Sequence, residues 1–206
     1  MEGLEGNAKP ATMKLIFATS NPHKLLEIKS MLPEGIEIMS LKEIGFEGEL
    51  PETQDTIEGN SLQKAEYISK KFNLSCFAED TGLMIDALNG EPGVYSARYA
   101  GDNATYDENM NKVLMKMKGI NNRSARFKTV ITYFAEGSFV QFIGETEGEI
   151  LIERRGSNGF GYDPVFKPRG SDLSYGEMSL EEKNMFSHRK KSFDLFCNHL
   201  AKISVY

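Results

Sequence analysis

The chain has 206 residues, of which 40% are hydrophobic and 26% are charged, a composition typical of one globular domain with a sizeable core. Its 24 basic and 30 acidic residues give a net charge of −6, which argues against a basic face that binds long nucleic acid. No apolar run is long enough to span a bilayer, and the first residues lack the regions of a secretory signal, so we expect a cytoplasmic protein.

The first part of the chain alternates strands and a helix. Residues 1–12 are polar and aperiodic, which predicts a flexible extension, and a single domain is expected over 13–206. Strands are predicted over 13–19 and 36–39, with a helix between them that begins near Pro22.

Capping boxes and a hairpin turn mark the later elements. The predicted elements are a helix over 56–72, a capped helix from Thr105 to Gly119, a hairpin of strands over 127–135 and 138–146, a further strand over 147–153, and a helical region from Ser179. Alternating strands and helices followed by successive strands predict an α/β fold with a mixed sheet whose later part is antiparallel.

Asp80 is the most informative residue of the chain. Residues 74–80 are predicted to form a short buried strand that ends in Glu79 and Asp80 and is followed by Thr81 and Gly82. Buried carboxylates are costly unless they are paired or bound to a metal, and open α/β sheets bind ligands at the carboxyl ends of strands. The segment therefore indicates a metal or water-activating site. A plain turn is the alternative, because Asp, Thr and Gly are common turn residues.

The turn after the first strand has the make-up of an anion site. Residues 19–24 offer backbone N–H groups at a helix start, the hydroxyls of Thr19 and Ser20, and Lys24 in the first helical turn. A lysine is unfavourable at that end of a helix, which favours a bound phosphate. Simple capping by Ser20 or Asn21 is the alternative.

Two later segments favour recognition of a flat base. The glycine-rich residues 156–161 are followed by Tyr162 rather than by a helix, which excludes a dinucleotide loop and suits a base sandwiched by aromatic rings. A hairpin loop with aromatic plugs explains them equally well. His188 and Arg189 follow a possible cap at Ser187, where donors would converge on an anion or a purine carbonyl. The alternative is a solvated helix face.

Smaller features complete the pattern. Cys76, in the predicted buried strand, is expected to be a small core residue rather than half of a disulfide. His23 and His199 are expected on the surface and are given no role.

Six motifs occur in one order along the chain. They are T-S-N-x-x-K-x-x-E at 19–27, E-x-N-x-x-x-K-A at 58–65, E-D-T-G-L at 79–83, P-G-x-Y-S-A-R-Y at 92–99, G-F-G-Y-D-P at 159–164 and E-K-N-x-x-x-H-R at 182–189. Together they closely resemble the inosine triphosphate pyrophosphatase family, the house-cleaning enzymes for non-canonical purine nucleotides. The resemblance runs from Met13 to about Leu200.

The resemblance implies a magnesium-dependent enzyme that cleaves ITP, dITP or XTP to the nucleoside monophosphate and pyrophosphate. It implies an elongated mixed sheet flanked by helices in two lobes, with a central substrate cleft, and a homodimer. Asp80 would be the general base and a metal ligand, and Glu52 the second metal carboxylate. The residues implied in substrate binding are Thr19, Ser20, Asn21, Lys24, Lys64, Thr81 and Lys183 for the phosphates, and Phe160, Gly161, Tyr162, Asp163, His188 and Arg189 for the base.

The chain departs from the family pattern in three places. Ser20 replaces a usual glycine, Thr81 replaces a common serine, and Gly59 interrupts the usual Glu-Asn pair, which leaves Glu58 without an assigned role. Two other functions stay open at this point: a related pyrophosphatase acting on dTTP and UTP, and a nucleotide-sensing module that has lost catalysis. The intact carboxylates and lysines count against the sensor.

Overall fold

Six strands and five helices make up residues 12–203, the part of the chain that the computed structural model describes. The strands are β1 (Met13–Ala18), β2 (Ile36–Ser40), β3 (Cys76–Ile85), β4 (Ser124–Ala135), β5 (Ser138–Ile150) and β6 (Phe166–Pro168). The helices are α1 (Pro22–Ser30), α2 (Ile57–Phe72), α3 (Tyr106–Lys116), α4 (Leu180–Phe186) and α5 (His188–Ile203), and short 3₁₀ turns cover Asp86–Leu88, Gly93–Arg98 and Asp163–Val165.

The strands form one mixed sheet in the order β2-β1-β3-β4-β5-β6. β1 pairs in parallel with both β2 and β3, whereas β3, β4, β5 and β6 pair antiparallel to one another. The predicted α/β class, with a mixed sheet that becomes antiparallel in its later part, is therefore confirmed.

Two cores lie on opposite faces of the first part of the sheet, because successive strand residues point to opposite sides. On one face Phe17 and Phe77 stack with ring centroids 4.5 Å apart, and Phe196 of α5 packs on Phe77. On the other face Ala78 packs with Ile68 of α2. The small Ala78 lets α2 approach the sheet closely, and burial of these apolar groups is the main source of stability here.

A third core surrounds the far half of β3. Leu83 and Ile85 pack there with Met110 and Val113 of α3 and with Met117, the residue that follows the helix. The helix is started by the predicted capping box, in which the Thr105 hydroxyl accepts from the backbone N–H of Glu108. The helices thus form two groups along an elongated sheet, as the resemblance implies. None of the helices in residues 12–203 is long and apolar enough to cross a membrane.

The predicted end of the strand at Asp80 is wrong, and so is the alternative of a turn. β3 continues to Ile85, and both Thr81 and Gly82 pair with β4. A Cβ atom on Gly82 would lie 2.6 Å from the carbonyl oxygen of Gly93, so glycine is needed for the close approach of a 3₁₀ turn. Asp80 therefore lies in mid-strand and is only 7% exposed.

Two other boundaries differ from the prediction. The separate strand predicted over 147–153 is wrong, because β5 continues without a break to Ile150. The three-residue β6 was not predicted. The expected extension over 1–12 lies almost entirely outside the described residues, as does the end of the expected domain over 13–206, and both stay predictions.

Candidate active site

A cavity of about 630 Å³ lies between the two groups of helices. Every residue that the sequence assigned to the site lines it: Glu52, Asp80, Thr19, Ser20, Asn21, Lys24, Lys64, Thr81, Phe160, Gly161, Tyr162, Asp163, Lys183, His188 and Arg189. The structure thus brings together side chains that are far apart in sequence, and their individual roles stay predictions.

Lys64 connects the two predicted metal carboxylates. Its Nζ atom lies 2.5 Å from Glu52 Oε1 and 2.9 Å from Asp80 Oδ1. Burial lowers the pKa of Lys64, but the charges of Asp80 and Glu52 raise it more, so the net pKa lies above its usual value. Burial likewise raises the pKa of Glu52, but the charge and hydrogen bond of Lys64, together with the charges of Lys24 and Arg98, lower it more, so the net pKa is lowered. The ammonium and the Glu52 carboxylate therefore stay ionised at neutral pH.

A buried network of ion pairs forms another wall of the cavity. Arg189 donates from Nε and Nη2 to Glu79 at 2.7 and 2.8 Å, and from Nη1 to Glu27. Lys183 Nζ lies 2.7 Å from Glu27 Oε1 and 2.6 Å from Asp163 Oδ2. The network joins α1, β3, α4 and α5, so it links these four elements at the cavity.

Charges within this network set the pKa values of its acids. Burial raises the pKa of Glu79 and of Glu27, but Arg189 overrides this together with a neighbouring lysine, and both pKa values end below normal. Burial raises the pKa of Asp163, and the attraction of Lys183 does not fully offset it. Removing either cation would leave buried carboxylates with fewer charged partners, which is costly.

The turn at the start of α1 is a capped helix start, and its role as an anion site stays a prediction. Asn21 Oδ1 accepts from the backbone N–H groups of His23 and Lys24 at 2.9 and 3.3 Å, which confirms capping by Asn21. Thr19 Oγ1 accepts from the N–H of Asn21 at 3.2 Å. Lys24 Nζ lies 3.2 Å from Glu79 Oε1, at the edge of the buried network. The cap therefore orders the turn and occupies the N–H groups of residues 21, 23 and 24.

His188 is an uncharged residue of the cavity wall. It is 2% exposed and stacks on Phe127, with ring centroids 4.6 Å apart and planes 11° apart. Burial, then the charges of Arg189 and Lys183, hold the pKa of the imidazole well below its usual range. Its buried Nδ1 atom has no hydrogen-bond partner within residues 12–203. Because His188 and Arg189 are both buried, a solvated helix face is wrong for these two positions.

The start of α5 lies unusually close to β5, and this places His188 and Arg189. A Cβ atom on Gly144 would lie 2.1 Å from the carbonyl oxygen of His188. Ser187 Oγ accepts from the backbone N–H of Lys190 at 3.3 Å, so the expected cap at Ser187 is confirmed. Glycine in β5 and a cap before α5 together set the position of the first helical turn.

The two aromatic residues of the glycine-rich loop have different environments. Tyr162 is buried in the core around α3, and its hydroxyl donates to the Ser96 carbonyl at 2.8 Å. Phe160 is half-buried against the cavity, and its backbone N–H donates to Asp163 Oδ2 at 2.9 Å. A Cβ atom on Gly159 would lie 1.9 Å from that same carboxylate oxygen, so glycine is required there. Tyr162 thus anchors the loop, and Phe160 presents a ring to the cavity.

Comparison with known proteins decides the family. The model of the Ham1 family matches residues 15–199 of the chain. The chain belongs to the Ham1 family. A dITP/XTP pyrophosphatase of Flavobacterium johnsoniae is 54% identical over 180 residues, which cover 87% of this chain and 94% of that protein. A dITP/XTP pyrophosphatase of Bacillus subtilis is 45% identical over 178 residues, which cover 84% of this chain and 90% of that protein.

Solved structures of Ham1 proteins share the fold. The HAM1 protein of Coxiella burnetii superposes with a TM-score of 0.85 at 35% identity, covering 93% of this chain and all of that one. The Ham1 protein of Staphylococcus aureus superposes with a TM-score of 0.83 at 34% identity, covering 92% of this chain and 99% of that one. The resemblance stated from the six motifs, and the fold it implied, are therefore confirmed.

Sequence reasoning missed several members of the site. Glu27 and Glu79 were given no role, although both stand in the motifs, because nothing local shows that they bind Arg189. His23, expected on the surface, is exposed but stacks on Phe160. Glu58 lies outside the cavity lining, and its carboxylate is 2.5 Å from Lys128 Nζ. The other missed residues that line the cavity include Ser96, Tyr106, Asn109 and Phe127.

Proposed function

We propose that this Ham1 protein hydrolyses the non-canonical purine nucleoside triphosphates dITP, ITP and XTP to the nucleoside monophosphate and pyrophosphate. One observation carries the proposal: a single cavity is lined both by carboxylates and lysines, suited to a metal-bound polyphosphate, and by Phe160 and an uncharged His188, suited to a base. Relatives 54% and 45% identical over most of the chain are dITP/XTP pyrophosphatases. Water is the second substrate, and the anhydride between the α and β phosphates is the bond that breaks.

Glu52 and Asp80 are the residues that would hold Mg²⁺. Both already lie within hydrogen-bond distance of one cation, Lys64, so the space between them accepts positive charge. No cluster of three or more His, Cys, Asp or Glu side chains that could hold a metal occurs within residues 12–203. Two carboxylates match Mg²⁺, which commonly takes one or two of them and completes its shell with waters and substrate phosphates. When bound, the ion would neutralise phosphate charge and acidify a water molecule.

Asp80 is the proposed general base. Its carboxylate lies on a rigid central strand, is almost buried, and is held by Lys64. A fixed carboxylate can accept the proton of the attacking water without reorganising during the reaction. Phosphoanhydride hydrolysis requires positioning and charge neutralisation more than covalent chemistry, which agrees with the absence of any assigned nucleophile among the proposed site residues.

Lys24, Lys64 and Lys183 are the proposed phosphate ligands, together with the turn over 19–21 and Thr81. Each lysine is paired with a carboxylate. Lys24 has the longest of these contacts, 3.2 Å, and its side chain is 14% exposed, so it is the most readily available to a phosphate. Charge-assisted contacts of this kind would hold the triphosphate against Asp80.

His188 and Arg189 are proposed to recognise the 6-keto edge of the base, which stacks on Phe160. An uncharged imidazole can donate one hydrogen bond to a keto oxygen, whereas the amino group of adenine would place a donor against that donor. Leaving such buried groups unpaired can discriminate between substrates by orders of magnitude. Arg189 is held rigidly by Glu79 and Glu27, so it would act as a fixed part of the wall.

A nucleotide panel tests the proposed function. Purified protein with Mg²⁺ should release pyrophosphate from XTP, dITP and ITP, release little from ATP, and lose activity when EDTA is added. Equal turnover of ATP would contradict it, and preferred turnover of dTTP or UTP would favour the related pyrophosphatase function. Tight XTP binding without pyrophosphate release would favour a sensor.

The homodimer and the cytoplasmic location are also proposals. The dimer is supported by the family resemblance alone, and sedimentation equilibrium at micromolar protein should give twice the mass of 23.1 kDa. A reducing compartment is supported by Cys76 and Cys197, which are both free. Burial raises the pKa of the Cys76 thiol to about 12, so this thiol is unreactive.

A further inference from the structure

We infer that His23 is a positioning residue: its ring supports the rear face of Phe160 and so orients the ring on which a purine base stacks. The inference deepens the proposed function and depends on it, because it assigns a role in binding the base of the same substrate. His23 lies in the first turn of α1, beside the residues proposed to bind phosphate.

The contact itself is a parallel stack. The ring centroids of His23 and Phe160 are 5.1 Å apart and their planes differ by 16°. Tyr106, at the start of α3, meets both rings at 6.0 Å, edge-on to His23 and tilted to Phe160. These distances lie within the range in which aromatic pairs attract one another beyond simple burial. The three rings connect α1, the glycine-rich loop and α3.

His23 lies on the side of Phe160 that faces away from the main cavity. Phe160 lines both the main cavity and a second cavity of about 460 Å³. His23 lines only the second cavity, whereas Tyr106 lines only the main one. Phe160 therefore separates the two spaces. Its ring lines the main cavity, Lys183 Nζ and the Arg189 guanidinium lie 5.2 and 5.5 Å from the ring centroid, and His23 stacks on the ring from the second cavity.

The backbone of the loop is held at Asp163 and Tyr162, so the support from His23 concerns the Phe160 ring itself. Gly159 and Gly161 flank the ring with φ values of +72° and +64°, so the local backbone is of the kind that glycine alone adopts readily. The second cavity offers space into which an unsupported ring can turn. His23 in contrast is well anchored, because its backbone N–H donates to Asn21 Oδ1 at 2.9 Å. The cap that orders the phosphate turn thus also orders the wall for the base.

Replacement of His23 tests the inference. In His23→Ala, KM for XTP should rise by about three- to tenfold with kcat nearly unchanged, since one aromatic contact is lost from the free enzyme. His23→Phe, which restores a ring, should return KM to within about twofold of the wild type. Leu26→Ala is the matched control, because Leu26 lines the same second cavity without belonging to the ring cluster, and its KM should equal that of the wild type.

Inorganic tripolyphosphate separates base binding from phosphate binding. As a competitive inhibitor without a base, it should have the same Ki against wild type and His23→Ala. A parallel rise in that Ki would overturn the inference and place His23 in phosphate binding. A KM for XTP that is unchanged or lower in His23→Ala would also overturn it. Turnover of XTP by the wild type tests the proposed function. The ratio of the KM values for XTP between His23→Ala and the wild type tests the role of His23 alone.

Discussion

The Lys64 ammonium lies 2.9 Å from Asp80 Oδ1, and its second carboxylate contact is to Glu52. A cation of the protein itself therefore occupies the space between the two acids that we propose as metal ligands. A metal ion entering that space would displace Lys64, and the released ammonium would be close to the phosphates it is proposed to bind. Metal binding and phosphate binding are thus expected to support each other.

Removal of the Lys64 ammonium should show whether it competes with a metal ion for Asp80 and Glu52. In Lys64→Met, binding of Mg²⁺ or Mn²⁺ in the absence of nucleotide should become roughly tenfold tighter, because a unit charge about 4 Å away is worth about 1 to 4 kcal/mol depending on the local dielectric. Isothermal titration calorimetry measures this without turnover. Binding of nucleotide by the same variant should weaken. Metal affinity that falls or stays the same in Lys64→Met would refute the competition.

Asp80 and Glu58 provide a matched pair of acids. Asp80→Asn should lower kcat for XTP by about 10²- to 10⁴-fold with a smaller change in KM, because an amide cannot accept the proton of water. Glu58→Gln should keep kcat within about threefold, since Glu58 lies outside the cavity and pairs with Lys128. Steady-state kinetics with XTP compares the two. An equal loss of kcat in both variants would contradict the assignment of Asp80, and not Glu58, as the general base.

Local signals in the sequence predicted most of the elements. The capping box at Thr105 and Glu108 and the hairpin turn at Glu136 and Gly137 are local features, and the structure has both. Gly82 misled the prediction, because the sequence Asp-Thr-Gly at 80–82 favours a turn. In the structure it makes room for the carbonyl of Gly93. Nothing in the local sequence shows that close approach, since it comes from a neighbouring element.

The site shows the same division between local and long-range information. The order of motifs identified its members, but the partners of its charges were not predictable. Lys183 and Glu27 are 156 residues apart, and Arg189 and Glu79 are 110 apart. The family resemblance implied that Lys183 is a phosphate ligand, whereas the fold also makes it a partner of two buried acids. Pairing of this kind depends on tertiary packing, so no local or periodic pattern in the sequence predicts it.

Arg189 should be important for stability as well as for substrate. Arg189→Met leaves Glu79 and Glu27 with fewer buried partners, so the free energy of unfolding should fall by about 3 to 5 kcal/mol, as is usual when one partner of a buried ion pair is removed. Urea unfolding followed by circular dichroism measures the loss. Adding Glu79→Gln should restore part of the stability, because the uncompensated charge is then gone. Additive losses in the double variant would show that the two side chains are not coupled.

His188 should make stability depend on pH in the mildly acidic range. Its pKa in the folded protein lies well below the usual 6.5, so below that pH the unfolded chain binds a proton that the native state does not. The free energy of unfolding should therefore fall as pH drops from 6.5, by about 1.4 kcal/mol per pH unit for one proton. At pH 7.5 and above the imidazole is neutral in both states, and its contribution to the slope should vanish.

His188→Phe isolates this effect, because it keeps a ring against Phe127 but cannot titrate. Between pH 6.5 and about 5, the stability curve of the variant should be flatter than that of the wild type by up to the one-proton slope. Above pH 7.5 the two curves should run parallel, whatever their offset. Urea unfolding at half-unit steps of pH provides both slopes. Parallel curves across the whole range would mean that His188 is protonated equally in the native and unfolded states, and the neutral imidazole proposed for recognition of the keto edge would have to be abandoned.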